Sequence, residues 1–219
     1  MQHIDGLTAP GAEGLRGSHG IRTCRTTLVF SDIAGFTQLT QRMGDLACYR
    51  LVQTCQRLVA RVARCEDGEL LEIRGDGFLA AFADSVAAAT FAIGIQRELE
   101  QRAELRTRIR IGMHTGEVVR DGARLYGRNV IFAFRISSFA EPDEILLSQA
   151  TRRDLPPDRF VLGCSREVRL KGFERPELVW RMAWRPPAQC GRVFSRPAVG
   201  VRTARVGSSG LAEVGAIGV

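Results

Sequence analysis

The sequence predicts an α+β fold, a ferredoxin-like antiparallel sheet with helices packed against it. Three observations carry this reading. Strand-like and helix-like segments are mixed over residues 25–185 and do not follow the strict strand–helix alternation of a parallel sheet. Two apolar runs flank the tight turn Gly75-Asp76-Gly77, which makes a hairpin and therefore antiparallel pairing. Residues 46–65 place Leu51, Val52, Cys55, Leu58, Val59 and Val62 at helical spacing, an apolar stripe suited to lie on a sheet.

The elements follow in order. Residues 26–31 read as an apolar strand that delivers Asp32 to its end, and the small-residue turn Ala34-Gly35 leads into a helix. A helix over 46–65 comes next, then strands over 69–73 and 78–82 around the Gly-Asp-Gly turn. Asp84 is a good N-cap for a helix from 85 to about 102, apolar at Val86, Ala89, Ile93 and Leu99. Strands are expected over 107–115 and 118–120, a helix over 127–140, and a short strand over 144–148 after the Glu141-Pro142-Asp143 turn. Further short strands fall near 160–163, 167–170 and 177–183, with Trp180 and Trp184 as packing anchors. Residues 1–24 read as a flexible leader, 25–185 as one domain, and 186–219, which open with Pro186-Pro187, as a disordered tail.

Bulk properties narrow the function. A chain of 219 residues with 45% hydrophobic content suffices for one domain with a real core. No apolar run approaches the ~20 residues that span a bilayer, and no charged and apolar signal-peptide pattern opens the chain. A cytoplasmic protein with no membrane span is expected. The six cysteines contain no C-x-x-C pair and read as reduced thiols. The net charge of +7 is spread out and mostly arginine. With no helix-turn-helix, zinc finger or interleaved aromatic-basic surface, no nucleic-acid partner is expected. A basic balance also suits a site that handles triphosphates.

Two segments point to chemistry. They are Val29-Phe30-Ser31-Asp32-Ile33-Ala34-Gly35-Phe36-Thr37 and Arg74-Gly75-Asp76-Gly77-Phe78. A carboxylate at a strand end binds a hard cation, and free N–H groups at the following helix start hold phosphate oxygens. A second carboxylate completes a two-metal pair. Taken singly, Asp32 also reads as a helix cap and Asp76 as a turn residue.

At these segments, and at Ile111-Gly112-Met113-His114-Thr115-Gly116 and Leu170-Lys171-Gly172, the chain resembles the class III adenylate/guanylate cyclases. The resemblance runs in order from about residue 26 to 184. It implies the class III catalytic fold and conversion of ATP or GTP to the cyclic 3′,5′-nucleotide and pyrophosphate. It implies two Mg²⁺ or Mn²⁺ ions held by Asp32 and Asp76 with the carbonyl of Ile33. It places phosphates on Gly35, Phe36, Thr37 and Lys171, and assigns Arg135 to the transition state. It further implies a homodimer whose sites are built from both chains.

One position departs from the family pattern, and the two base-reading positions differ from its adenylate form, the first matching the Glu of guanylate cyclases. Ile131, four residues before Arg135, stands where the family carries an asparagine, and isoleucine neither donates nor accepts. Nearby Asn129 is an amide, but two positions along a helix is another face. The base-reading positions hold Glu72 and Arg124. A carboxylate accepts from guanine N1–H and the amino group, and an arginine donates to O6 or N7, so the pair complements guanine. A salt bridge between the two is the alternative. Arg135 and Lys171 also read as ordinary surface cations, and His114 as a hydrogen-bonded structural residue. The rival to a cyclase is a weak or inactive cyclase-like regulatory or nucleotide-binding module, or one half of a heterodimer.

Overall fold

The computed structural model describes residues 20–185, so most of the expected leader, and all of the expected tail with Cys190, lie outside the described residues. The chain runs β1 (Arg22–Ile33), α1 (Phe36–Met43), α2 (Asp45–Cys65), β2 (Glu69–Arg74), β3 (Gly77–Phe82), α3 (Ser85–Glu100), β4 (Ile109–Asp121), β5 (Arg124–Tyr126), α4 (Arg128–Phe139), β6 (Ile145–Ser148), α5 (Gln149–Asp154), β7 (Leu162–Val168) and β8 (Glu177–Met182). The strands form one sheet in the order β2-β3-β1-β4-β6-β8-β7, with β5 folded back on β4. The first four strands have the ferredoxin-like order, every neighbour antiparallel. The sheet as a whole is mixed, because β4 and β6 run parallel. This corrects the wholly antiparallel expectation: α4 crosses over between β4 and β6 and returns the chain in the same direction.

Side-chain alternation along β1 splits the core into two layers. Val29 and Ile33 face α2 and α3, where they pack with Val59, Phe91, Ile95 and Met113. Leu28 and Phe30 face the other way, against Ala133 and Val130 of α4. On β6, Leu146 joins Phe132 and Ile136 of α4, while Ile145 and Leu147 join the α2–α3 layer. The period of two thus feeds both faces from single strands.

Close approach of α4 requires a glycine on β4. A Cβ on Gly112 would lie 2.1 Å from the backbone nitrogen of Ser137. The Asp84 cap is present as expected, its carboxylate accepting from the backbone N–H groups of Val86 and Ala87.

The short strands expected near 160–163 and 167–170 are one strand, β7; β5 and α5 are additional to the expected elements, and two further boundaries differ. β1 begins at Arg22, so the last three residues of the expected leader are strand, paired with Val118, Val119 and Arg120 of β4. The expected break in β4 near Gly116 does not occur, because Gly116 and Glu117 continue the ladder opposite Thr26 and Arg25. The start of β1 is exposed and carries little alternation, so pairing alone extends it, whereas β4 alternates through the expected break, with Gly116 and Val118 buried and Glu117 and Val119 exposed.

Candidate active site

The register of β1 on β4 sets Asp32 opposite Arg110. The carboxylate accepts two bonds from that guanidinium, 2.9 Å from Nε to Oδ1 and 2.6 Å from Nη2 to Oδ2. Asp32 is therefore not the cap of α1. That position belongs to Gly35, whose φ of 67° is open to glycine, and no side chain caps the helix. Among the described residues no side chain caps the first turn of α1, which begins four residues after Asp32.

Asp76 sits in the β2–β3 turn, as expected of the bland reading, yet its carboxyl faces Asp32. Burial raises its pKa above the ordinary 3.8, and the Asp32 charge pushes it the same way. Hydrogen bonds from its own backbone and from that of Ile33, with the Arg110 charge, pull it down. The hairpin thus carries the second aspartate to the Asp32-Ile33 segment. Among the described residues no group of three or more His, Cys, Asp or Glu side chains gathers to hold a metal. Two carboxylates and a backbone carbonyl still fit Mg²⁺ or Mn²⁺, which takes one or two carboxylates and completes its shell with water and substrate phosphates. In this state Arg110 occupies the Asp32 oxygens that a cation would use.

A groove of about 620 Å³ runs from this acidic end to α4. Asp32, Glu72 and Asp76 line one wall, and Ile131, Phe134 and Arg135 the other. A second groove is lined by Tyr126, Gly127, Arg128, Ile131, Arg135 and Lys171. Arg135 borders both grooves, its buried Nε has no hydrogen-bond partner among the described residues, and its guanidinium carbon lies 5.5 Å from the Phe134 ring centroid. Arg124 lies exposed on β5 and is not among the residues lining the Glu72 groove.

Ile131 is 53% exposed and Phe134 46% exposed. Phe134 stands edge-on to Phe30 with ring centroids 5.6 Å apart. Asn129 points toward β4: its Nδ2 donates to the Glu117 carbonyl at 2.7 Å, and its Oδ1 lies 3.0 Å from His114 Nε2. It does not stand in for an amide at position 131. His114 is buried and hydrogen-bonded on both nitrogens, the structural role expected of it.

Sequence reasoning missed Arg110 and Phe134. Arg110 sits 78 residues from its partner, so only the β1–β4 register exposes the pair. Phe134 immediately precedes Arg135, and its bulk beside a proposed functional arginine was the available signal.

The Adenylate and Guanylate cyclase catalytic domain model matches residues 22–182. An adenylate cyclase of Glutamicibacter nicotianae is 30% identical over 145 residues, which is 66% of this chain and 36% of that protein. An adenylate cyclase of Streptomyces coelicolor is 29% identical over 168 residues, 74% of this chain and 44% of that protein. The chain therefore spans less than half the length of these relatives. Among solved structures, the adenylyl cyclase CyaB from P. aeruginosa superposes with a TM-score of 0.67 at 25% identity, covering 75% of this chain and 96% of the other. The guanylyl cyclase Cya2 gives 0.68 at 26% identity, covering 75% and 94%. With both aspartates, the groove and the Arg135–Lys171 cluster inside the matched stretch, the chain belongs to the adenylate and guanylate cyclase catalytic domain family.

Proposed function

We propose that the protein is a purine nucleotide cyclase that converts ATP or GTP to the cyclic 3′,5′-nucleotide and pyrophosphate. The observation that carries this reading is the meeting of Asp32 and Asp76 at the end of a groove, next to a helix start that no side chain caps.

In the reaction the ribose 3′-oxygen forms a bond to the α-phosphorus, and the bond from that phosphorus to the pyrophosphate oxygen breaks. Asp32 and Asp76 hold two Mg²⁺ or Mn²⁺ ions, with the Ile33 carbonyl as a further oxygen. Ions held there would supply Lewis acidity toward the attacking hydroxyl and positive charge beside the leaving pyrophosphate. For Asp32 to take this role, Arg110 releases at least one of its two bonds. The backbone N–H groups of Gly35, Phe36 and Thr37 meet phosphate oxygens. Arg135 grips the charge that develops on the reacting phosphate, and Lys171 the terminal phosphates. Glu72, which lines the groove, accepts from the base edge, which favours guanine, whereas Arg124 lies outside that groove and takes no part in reading the base from it.

The site is composite in this reading. Two copies related by a two-fold axis set the aspartates of one opposite Arg135 and Lys171 of the other. Among the described residues no helix is long and apolar enough to cross a membrane, and we place the protein in the cytoplasm.

A second reading is favoured by Ile131 and Phe134. Two apolar side chains line the α4 wall where an amide donor is expected, which fits a weak or inactive regulatory module or one half of a heterodimer. The test is incubation of the full chain with ATP and with GTP in excess Mn²⁺, with cyclic products identified by mass and Asp32→Ala as control. A product that vanishes in the control supports the enzyme and names its base. No product from the folded protein with either nucleotide overturns the homomeric enzyme and leaves the second reading.

A further inference from the structure

A chain of buried hydrogen bonds crosses the sheet and ends on α4. Its links are Thr27 Oγ1 to Thr115 Oγ1 at 2.9 Å, Thr115 to Thr151 at 3.1 Å, and Thr151 to Ser148 Oγ at 3.1 Å. It continues from Ser148 to His114 Nδ1 at 2.9 Å, and from His114 Nε2 to Asn129 Oδ1 at 3.0 Å. Every hydroxyl and the imidazole in it are buried.

The direction of every bond follows from the last one. The Glu117 carbonyl only accepts, so the Asn129 group 2.7 Å from it is the NH₂. That turns Oδ1 toward His114, so Nε2 carries the proton and donates. On a neutral ring Nδ1 is then bare and accepts from the Ser148 hydroxyl. Ser148 in turn accepts from Thr151, Thr151 from Thr115, and Thr115 from Thr27. All hydroxyls therefore donate the same way, toward α4.

The geometry on α4 is equally specific. No side chain caps the helix at its start, where Gly127 has φ 120°. Asn129 supplies the tie instead, and Phe132, one turn on, packs on the His114 ring with centroids 4.5 Å apart. Gly116 makes room for it, since a Cβ there would lie 2.7 Å from the Asn129 side chain and 3.0 Å from His114 Nε2. Asn129 and Phe132 face β4, while Ile131 and Arg135, four apart, face the grooves. The rotation that seats the first pair aims the second.

We propose that His114 and Asn129 are positioning residues, a pin through which the buried relay fixes the rotation of α4 and so the aim of Arg135. The catalytic consequence rests on the cyclase reading, whereas the pin itself does not. The test uses the full chain labelled with ¹⁵N. The imidazole signal of His114, assigned by its loss in His114→Gln, shows a protonated Nε2 and a bare Nδ1. Asn129→Ala moves the backbone amide signals of residues 130–135 and leaves those of β7 and β8 in place. In Asn129→Ala, kcat falls by ~10–100-fold with KM little changed, because misplacing a reacting group by about an ångström has that effect. Asn129→Asp keeps the acceptor for His114 but sets an oxygen against the Glu117 carbonyl, so it retains the imidazole tautomer and does not recover the rate.

An Nδ1-protonated tautomer overturns the relay direction. Unmoved α4 signals in a folded Asn129→Ala protein overturn the pin. If the unaltered chain makes no cyclic nucleotide, that result counts against the cyclase reading, and the amide and imidazole signals alone decide the pin.

Discussion

Replacing Ile131 with asparagine is the sharpest test of the α4 wall. Ile131 is 53% exposed, so roughly half of the ~1.5–3 kcal/mol that full burial of an isoleucine confers is at stake, about 1 kcal/mol. Arg135 lies one helical turn further along the same face, so the new amide stands beside the guanidinium at the junction of the two grooves. One preorganised donor to a developing oxyanion is worth ~10²–10³ in rate, or about 2.7–4 kcal/mol. The expected outcome for Ile131→Asn is a kcat at least ~10-fold higher, with a melting temperature lower by only a few degrees. The assay is cyclic-nucleotide formation with Mn²⁺ under saturating GTP or ATP, with Ile131→Asn/Asp32→Ala as the blank. A folded Ile131→Asn protein whose turnover matches the unaltered chain refutes the argument, and an absence of nucleotide binding in both then favours the regulatory module.

Removing the guanidinium in Arg110→Ala leaves the Asp32 carboxylate without its bidentate partner, so Mn²⁺ affinity in the absence of nucleotide should rise severalfold by calorimetry; equal or weaker binding would contradict the competition drawn between Arg110 and the cation. Burial holds the His114 pKa below its ordinary 6.5, so between the two values the unfolded chain binds more protons than the folded one. Stability contributed by neutral His114 is therefore fully present above 6.5 and lost as pH falls through the folded value, a slope that urea midpoints from pH 8 to 5 should show and His114→Gln should lack. Gly112→Ala drives a Cβ to 2.1 Å from the α4 backbone, and the shift it forces should cost ~1–3 kcal/mol, several degrees of melting temperature; an unchanged transition would mean that α4 gives way freely.

What the sequence reveals here is what local chemistry decides. The Asp84 cap and the hairpin around Gly75-Asp76-Gly77 need only near neighbours, and both form where they were expected. The fray of β1 back to Arg22 and the unbroken β4 depend on each other, so neither end is visible in one strand alone. Arg110 illustrates the same limit at the site. Its role as the Asp32 counter-charge is set by register between strands distant in sequence, and strand alternation by itself gives a polar residue no partner.

The two faces of α4 separate stability from chemistry. Its inward side chains, Phe132, Ala133 and Ile136, are buried among two of the core clusters, and its rotation is tied to β4 through Asn129. Its groove-facing side chains, Ile131 and Phe134, are about half exposed; Phe134 rests edge-on against Phe30 of β1, and Ile131 lines both grooves. An amide or an isoleucine at position 131 therefore suits the same backbone, and the likeness of this fold to solved cyclases is expected for either. The acidic wall differs in kind. Asp32, Gly35 and Asp76 are held by strand register, a left-handed turn and a hairpin, so altering them disturbs local backbone or charge as well as function. Loss of turnover through position 131 alone thus leaves a folded protein with an intact acidic half, which is why restoring the amide there, with Asp32→Ala as the blank, divides an impaired enzyme from a module that never turns over.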